Sequence, residues 1–347
     1  MIELLGFHYT DRCNVECAHC CVSSGPRRRT KMDPAFAAEI IGQAAALGIP
    51  AIKFTGGEAL LYPQEILELT DLAHRKGMNV GVVTNGYWAP TVEKGVRFLT
   101  PFLEAGLCEV DISVDQWHWD FLKAEQVGRA IQAARTFRDL KVVLYRVMKV
   151  TETAEDPAFY AALGLAPDEL TFESCNANDM IRQAGRDPAG RLLVRWTLVS
   201  RVGRGAGLPA EDALHAPCGS ITPVACGEVT RAPVILPDGT LFACCSGSVP
   251  SPLHAGNLRQ MSLALVQDRM ERNPLLQLIA ARGPTHLRDA LAERQRHRDL
   301  PLTCDSICDL CKGILSRVEE PVLQDVATEE WLKMSIFGLI PPRVEAC

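Results

Sequence analysis

Three cysteines crowd one loop, Cys13-Asn-Val-Glu-Cys17-Ala-His-Cys20, directly after the apolar run Leu5–Tyr9. Few arrangements constrain a chain more. Three thiolates this close can each hold one iron of a cubane [4Fe–4S] core, which has four irons to satisfy and so keeps one open. Zinc fits the spacing alone equally well, with His19 or Cys21 as fourth ligand. Position favours the cluster. The loop follows a strand in an alternating α/β pattern, and such folds build active sites at the C-terminal ends of their strands.

The alternation runs through the first half. Apolar, β-rich runs at Leu5–Tyr9, Ala51–Phe54, Asn79–Thr84, Glu109–Val114, Lys141–Val147 and Leu170–Glu173 read as strands. Helical patterns lie between them near Pro34–Leu47, Pro63–Lys76, Thr91–Ala105, Phe121–Arg138 and Pro157–Leu163. After the first unit the strands recur about every 30 residues, the length of one βα unit. A parallel sheet with outer helices follows, open or barrel-like. Six strands fall short of the eight that close a TIM barrel. After about residue 200 the pattern changes: Pro217–Pro252 is rich in Pro, Gly and Cys, with short β runs either side of Pro237-Asp238-Gly239. A unit this thin needs metal staples. Charged helical sequence at Ser262–Arg298 precedes the last cysteine group.

The cysteine-loop spacing resembles that of the radical S-adenosylmethionine (SAM) superfamily, and Gly56-Gly57-Glu58, ending the second strand, resembles its GGE motif. The resemblance implies a partial (β/α)6 barrel, with Cys13, Cys17 and Cys20 holding a [4Fe–4S] cluster whose open iron binds SAM. It implies that Gly56, Gly57 and Glu58 receive the SAM amino group. Glycines let backbone approach a ligand closely, and a carboxylate pairs with an ammonium. Asn85 matches the family's TNG at Thr84-Asn85-Gly86. Ser113 and Asp115 end the fourth strand where the family places SAM contacts, and Arg146 is placed like an arginine that pairs with the SAM carboxylate. Val202–Ala206 resembles a glycine-arginine segment near the adenine. The implied chemistry is reductive cleavage of SAM to a 5′-deoxyadenosyl radical, which removes a hydrogen atom from substrate. An electron donor such as flavodoxin or ferredoxin is implied with it.

The later cysteines resemble the auxiliary-cluster domains called SPASM and twitch: Cys226, then Gly239-x4-Cys244, then Cys308-x2-Cys311. The short late set matches the one-cluster twitch form, of the butirosin-pathway dehydrogenase type, and implies an auxiliary [4Fe–4S] cluster on Cys226, Cys244, Cys308 and Cys311. Cys218 and Cys304 stand in reserve, and zinc is the rival metal. The expected domains are a radical SAM core over 1–210, a twitch-like unit over 211–320 and a C-terminal tail over 321–347. Cys21 and Cys245, each next to an expected ligand, are candidate hydrogen-atom donors. His118, just past the fourth strand, is a candidate for positioning substrate or for acid–base work. Cys108, Cys175 and Cys347 are isolated and read as packing or surface residues.

The 14 cysteines are too few for a disulfide scaffold in 347 residues. Their clustering in a reducing compartment points to metal or redox chemistry. No stretch reaches the roughly 18 apolar residues of a membrane span, and MIELLGFHYT lacks the features of a signal peptide. The expected location is cytoplasmic. A net charge of −6 gives no reason to expect nucleic acid. With the first strand starting almost at residue 1, no leader-binding module is expected before it. The sequence points first to oxidative modification of a peptide in natural-product maturation. The alternatives are a peptide epimerase, or an epimerase or dehydrogenase of a sugar, aminoglycoside or other small molecule. An iron–sulfur carrier without turnover is the non-enzymatic rival, and the GGE motif speaks against it.

Overall fold

A computed structural model describes residues 1–174, 191–214, 216–218, 224–245, 251–294 and 300–336; Cys175 and Cys347 lie outside them. Strands β1 (Leu5–Thr10), β2 (Ala51–Gly56), β3 (Asn79–Thr84), β4 (Leu107–Ser113) and β5 (Lys141–Met148) pair in that order, all parallel. Two further parallel strands complete the arc. β6 (Leu170–Ser174) takes the edge, and β7 (Leu192–Leu198) inserts between β5 and β6. The α/β partial-barrel expectation holds, with β7 added among the described residues to the six strands read from the sequence.

Helices α1 (Pro34–Ala46), α2 (Pro63–Arg75), α3 (Val92–Glu104), α4 (Ala124–Arg135) and α5 (Pro157–Ala162) connect the strands. Their ends are written locally. In α1, Asp33 caps by accepting the Ala35 N–H at 2.8 Å, and Pro34 occupies the first turn, where its missing N–H costs nothing. Ile40, Ile41, Ala37 and Ala44 then recur on one face and are fully buried. Gly48, at φ +70, turns the chain back into β2.

The inner face of the arc is charged as well as apolar. Lys53 Nζ lies 2.6 Å from Glu109 and 2.7 Å from Asp111, and Lys141 Nζ lies 2.9 Å from Glu109. Gly81 leaves the space that Lys53 crosses. These ions fill an interior that a closed barrel packs with branched apolar side chains.

Beyond β8 (Ala216–Pro217), the expected hairpin forms from β9 (Val234–Ile235) and β10 (Thr240–Phe242), joined by β11 (His254–Asn257). β9 pairs parallel with β1, so the hairpin continues the main sheet rather than standing apart from it. Then follow α6 (Leu263–Arg272) and α7 (Pro274–Glu293), which bends at Gly283-Pro284. Next come β12 (Thr303–Cys304), paired with β8, and α8 (Ile307–Leu315). The expected tail begins as a helix, α9 (Glu320–Ile336), tied to α7 through Glu330, His286 and Arg294. No described helix is long and apolar enough to cross a membrane.

Candidate functional site

The three-cysteine loop leaves β1 and is held flat against the end of β2. Gly57 N donates to Thr10 O at 2.6 Å and Glu58 N to Arg12 O at 2.8 Å. A Cβ on Gly56, at φ +130, would collide with the Thr10 carbonyl, and one on Gly57 with the Arg12 carbonyl. Only glycine permits this approach. Cys13 and Cys17 are buried and Cys20 is half-buried. Burial first, then the nearby charges of Glu58, Cys17 and Cys20, push the Cys13 thiol up to about 12. Three thiols gathered on one loop suit a cationic metal core, and these residues fit an iron–sulfur cluster.

Glu58 is turned into the protein. It is 1% exposed. Its carboxylate accepts from Leu60 N at 3.2 Å, Thr84 Oγ1 at 3.2 Å and Asn85 N at 2.9 Å. Burial outweighs these bonds and raises the group to about 7. Asn85 in turn points its amide at the cysteine loop, with Nδ2 2.9 Å from Asn14 Oδ1 and 3.8 Å from Cys13 Sγ. Glu58 thus fixes the residue that touches the loop.

The end of β4 also reaches that loop. Ser113 is half-buried there. Asp115 is buried, with Oδ1 2.7 Å from His118 Nδ1 and Oδ2 3.8 Å from His19 Nε2. His118 is buried, and Cys17 lies close to its ring. Burial opposes its protonation, but Asp115 prevails and raises it well above the usual histidine range. His19 has no comparable partner, and burial lowers it to about 4.

Arg146 is not brought to this site. Side chains alternate along a strand, so Arg146 shares the outer face of β5 with Leu144 and Met148. Its guanidinium carbon stands 3.6 Å from the Phe159 ring centroid on α5. Its Nη1 donates to the carbonyls of Thr153 and Ala154, each at 3.0 Å. Tyr145 is the β5 residue in register with Ser113. The inner-face arginine is Arg195 on β7, 3% exposed and 3.7 Å from Glu173. The sequence reading missed it along with the Lys53 ions. Their signal was polar residues at alternate strand positions.

The later cysteines converge. Cys226, Cys244, Cys308 and Cys311 line one cavity whose other walls include Val202, Val229, Leu253 and Ile279. Cys226 N donates to Ile279 O on α7 at 3.1 Å. Gly283 lets α7 lie against the Val224 carbonyl just before Cys226. Cys308 and Cys311 are three residues apart on α8, hence on one face, and Ser306 caps that helix by accepting the Asp309 N–H at 3.1 Å. Burial, then neighbouring thiols, pushes the Cys226 thiol up to about 11 and raises Cys308 and Cys311 as well. Four thiols in an otherwise apolar cavity fit a second metal centre. Cys218 and Cys304 do not line it; both are buried, their sulfurs 2.6 Å apart where β8 meets β12.

The two thiol sites adjoin. Val202 lines the four-cysteine cavity, and Gly203 beside it packs on the Cys21 carbonyl. Cys21 and Cys245 are both accessible to solvent, close enough to influence each other's ionisation, and both near Cys308.

Residues 7–158 match the profile of the Radical SAM superfamily. Over that stretch, a little under half of the chain and holding both the cysteine loop and Gly56-Gly57-Glu58, the sequence is similar to radical SAM enzymes, which use a [4Fe–4S] cluster and SAM. Among its relatives is YydG of Bacillus subtilis (strain 168), a protein named for peptide biosynthesis. It is 22% identical over 333 residues, covering 92% of this chain and 93% of YydG. The GTP 3′,8-cyclase of Chlorobaculum tepidum is 31% identical over 168 residues, 46% of this chain and 49% of the cyclase. Among solved structures, BtrN in complex with AdoMet and 2-DOIA aligns with 13% identity and a TM-score of 0.47, over 90% of this chain and 92% of BtrN.

Proposed function

We propose that this enzyme modifies a peptide oxidatively, removing two hydrogens to leave a new bond or an unsaturation. The observation that carries this reading is the four-cysteine cavity adjoining the first cysteine loop. Four thiolates satisfy every iron of a [4Fe–4S] core, so such a centre has no open position for substrate and suits electron passage. The peptide class is supported by the relationship to YydG, which runs almost the full length of both chains.

With SAM and its cluster bound, the centre supplies reductive SAM cleavage and abstraction of a substrate hydrogen atom. The protein's own residues do the rest. Cys13, Cys17 and Cys20 hold the first cluster; Gly56, Gly57, Asn85 and Ser113 border it; Glu58 and Asp115 hold neighbours in place. Cys226, Cys244, Cys308 and Cys311 hold the auxiliary cluster. The balance is two hydrogens: one would leave as an atom and the other as a proton, with the remaining electron taken up by the centre that Cys226, Cys244, Cys308 and Cys311 would hold.

A second reading rests on Cys21 and Cys245. A thiol of ordinary acidity is mostly S–H at neutral pH, a hydrogen bond with Cys244 raises that of Cys245 well above its usual range, and the S–H form is the one that can return a hydrogen atom. Return to the opposite face would make the enzyme an epimerase.

The test is anaerobic turnover in D2O with reductant and SAM, run in parallel on short candidate precursor peptides and on an aminoglycoside. Loss of two hydrogens supports the first reading. An isomeric product carrying one deuterium at the altered carbon overturns it in favour of the second. No change in the peptide, with turnover of an aminoglycoside instead, overturns both.

A further inference from the structure

The segment from Ser200 to Gly205 bridges the two cysteine sites. At one end, Asp305 accepts the Arg201 N–H at 2.7 Å and the Ser200 hydroxyl at 3.2 Å, three residues before Cys308. At the other end, Arg204 is spent on the three-cysteine loop. Its Nη1 donates to the Cys17 carbonyl at 2.6 Å, its Nη2 to the Ser24 carbonyl, and its backbone N–H to the Cys20 carbonyl at 2.9 Å. The flanking glycines make this fit. A Cβ on Gly203, at φ +58, would collide with the Cys21 carbonyl, and one on Gly205 would press on Ser200 and His19 carbonyls. The only acid within 4.0 Å of Arg204 among the described residues is Glu16, at 3.9 Å and partly exposed. The guanidinium is therefore bound chiefly by carbonyl dipoles of the loop.

We propose that Arg204 is a positioning residue for the first cluster. Its guanidinium forks across the loop to hold the Cys17 and Ser24 carbonyls, while its backbone N–H holds that of Cys20, and it places a permanent positive charge against an anionic centre. The proposal rests on the reading of Cys13, Cys17 and Cys20 as cluster ligands. Two consequences separate. Holding two carbonyls at once requires the planar fork of arginine, which lysine lacks. Stabilising the extra electron of a reduced cluster requires only the charge, which lysine keeps.

The test compares native chain, Arg204→Lys and Arg204→Met after anaerobic reconstitution, with circular dichroism as the check on folding. Iron release to a chelator is timed, and the midpoint potential of the SAM-responsive EPR signal is titrated. The Met variant should release iron from this site roughly tenfold faster, the factor for about 1.4 kcal/mol, and its midpoint should move to more negative potential. The Lys variant should release iron nearly as fast as Met, yet keep a midpoint close to native. Native release and native potential in the Met variant would overturn the proposal. A Lys midpoint that falls with Met would overturn its charge component. If the native chain itself takes up no iron on this loop, the ligand reading fails and the proposal falls with it, and that failure shows in the control rather than in the variants.

Discussion

Glu58 accepts the backbone N–H of Asn85 at 2.9 Å, joining the end of β2 to the end of β3 beneath the cysteine loop. Resemblance to the family's GGE motif implies that this glutamate meets the ammonium of SAM. The structure adds a task inside the protein, since Thr84 and Leu60 donate to the same carboxylate. Glu58→Gln places an amide N–H2 against donors. It should lower the stability of the cluster-free chain by about 1–3 kcal/mol and weaken SAM binding by a similar amount. Urea denaturation and SAM titration read the two effects separately. Native stability with weakened SAM binding would show that the carboxylate serves the ligand alone.

The four-cysteine cavity makes a countable prediction. Reconstituted protein should hold about eight iron and eight sulfide per chain, two [4Fe–4S] clusters. Cys308→Ala with Cys311→Ala should leave about four of each, retain formation of 5′-deoxyadenosine and lose modified product. One zinc with four iron in the native protein would reassign the cavity.

Lys53 is the hub of the interior ions. Lys53→Met should destabilise the fold by about 3–5 kcal/mol, because buried Asp111 loses its ammonium partner and half-buried Glu109 keeps only Lys141. Pairing that substitution with Asp111→Asn should recover part of the loss. Recovery is read from urea midpoints; additive losses would mean the ions do not act together.

The α7–α9 contact predicts a pH dependence. Burial alone would raise the Glu330 carboxyl, but hydrogen bonds from Arg294, Lys333 and His286 prevail and hold it at about 2. A carboxylate depressed on folding adds stability above its unfolded pKa, and that stability is lost as pH falls from about 4.5 through about 2. Glu330→Gln should therefore cost up to about 3 kcal/mol at pH 7, with less than half of that gap remaining at pH 3. A gap independent of pH would mean the charge of Glu330 contributes nothing.

Much of this was legible because strands that bury both faces read as apolar runs and helices carry their caps. Asn79–Thr84 is placed to the residue, and Asp33-Pro34 marks the start of α1. What escaped was set by tertiary register. β7 carries Arg195 in an otherwise apolar run, and only its place between β5 and β6 makes it a strand. Arg146 has the right residue type on the right strand, but the alternation of β5 turns it outward beneath Phe159. The resemblance to twitch domains implies the four cysteines that share a cavity. That Cys218 and Cys304 face each other instead follows from the pairing of β8 with β12, two short strands far apart in sequence. Helix α9 was read as tail because its apolar residues, Leu323, Val326, Ala327 and Met334, make sense only against α7.

The central claim is that the first cysteine loop carries the SAM-cleaving centre, and the formation of 5′-deoxyadenosine measures it most directly. Reconstituted native protein, reduced anaerobically with SAM, should form it. The Cys13→Ala, Cys17→Ala, Cys20→Ala triple variant should form none while keeping about four iron in the auxiliary site. A triple variant that made 5′-deoxyadenosine at the native rate would contradict the account.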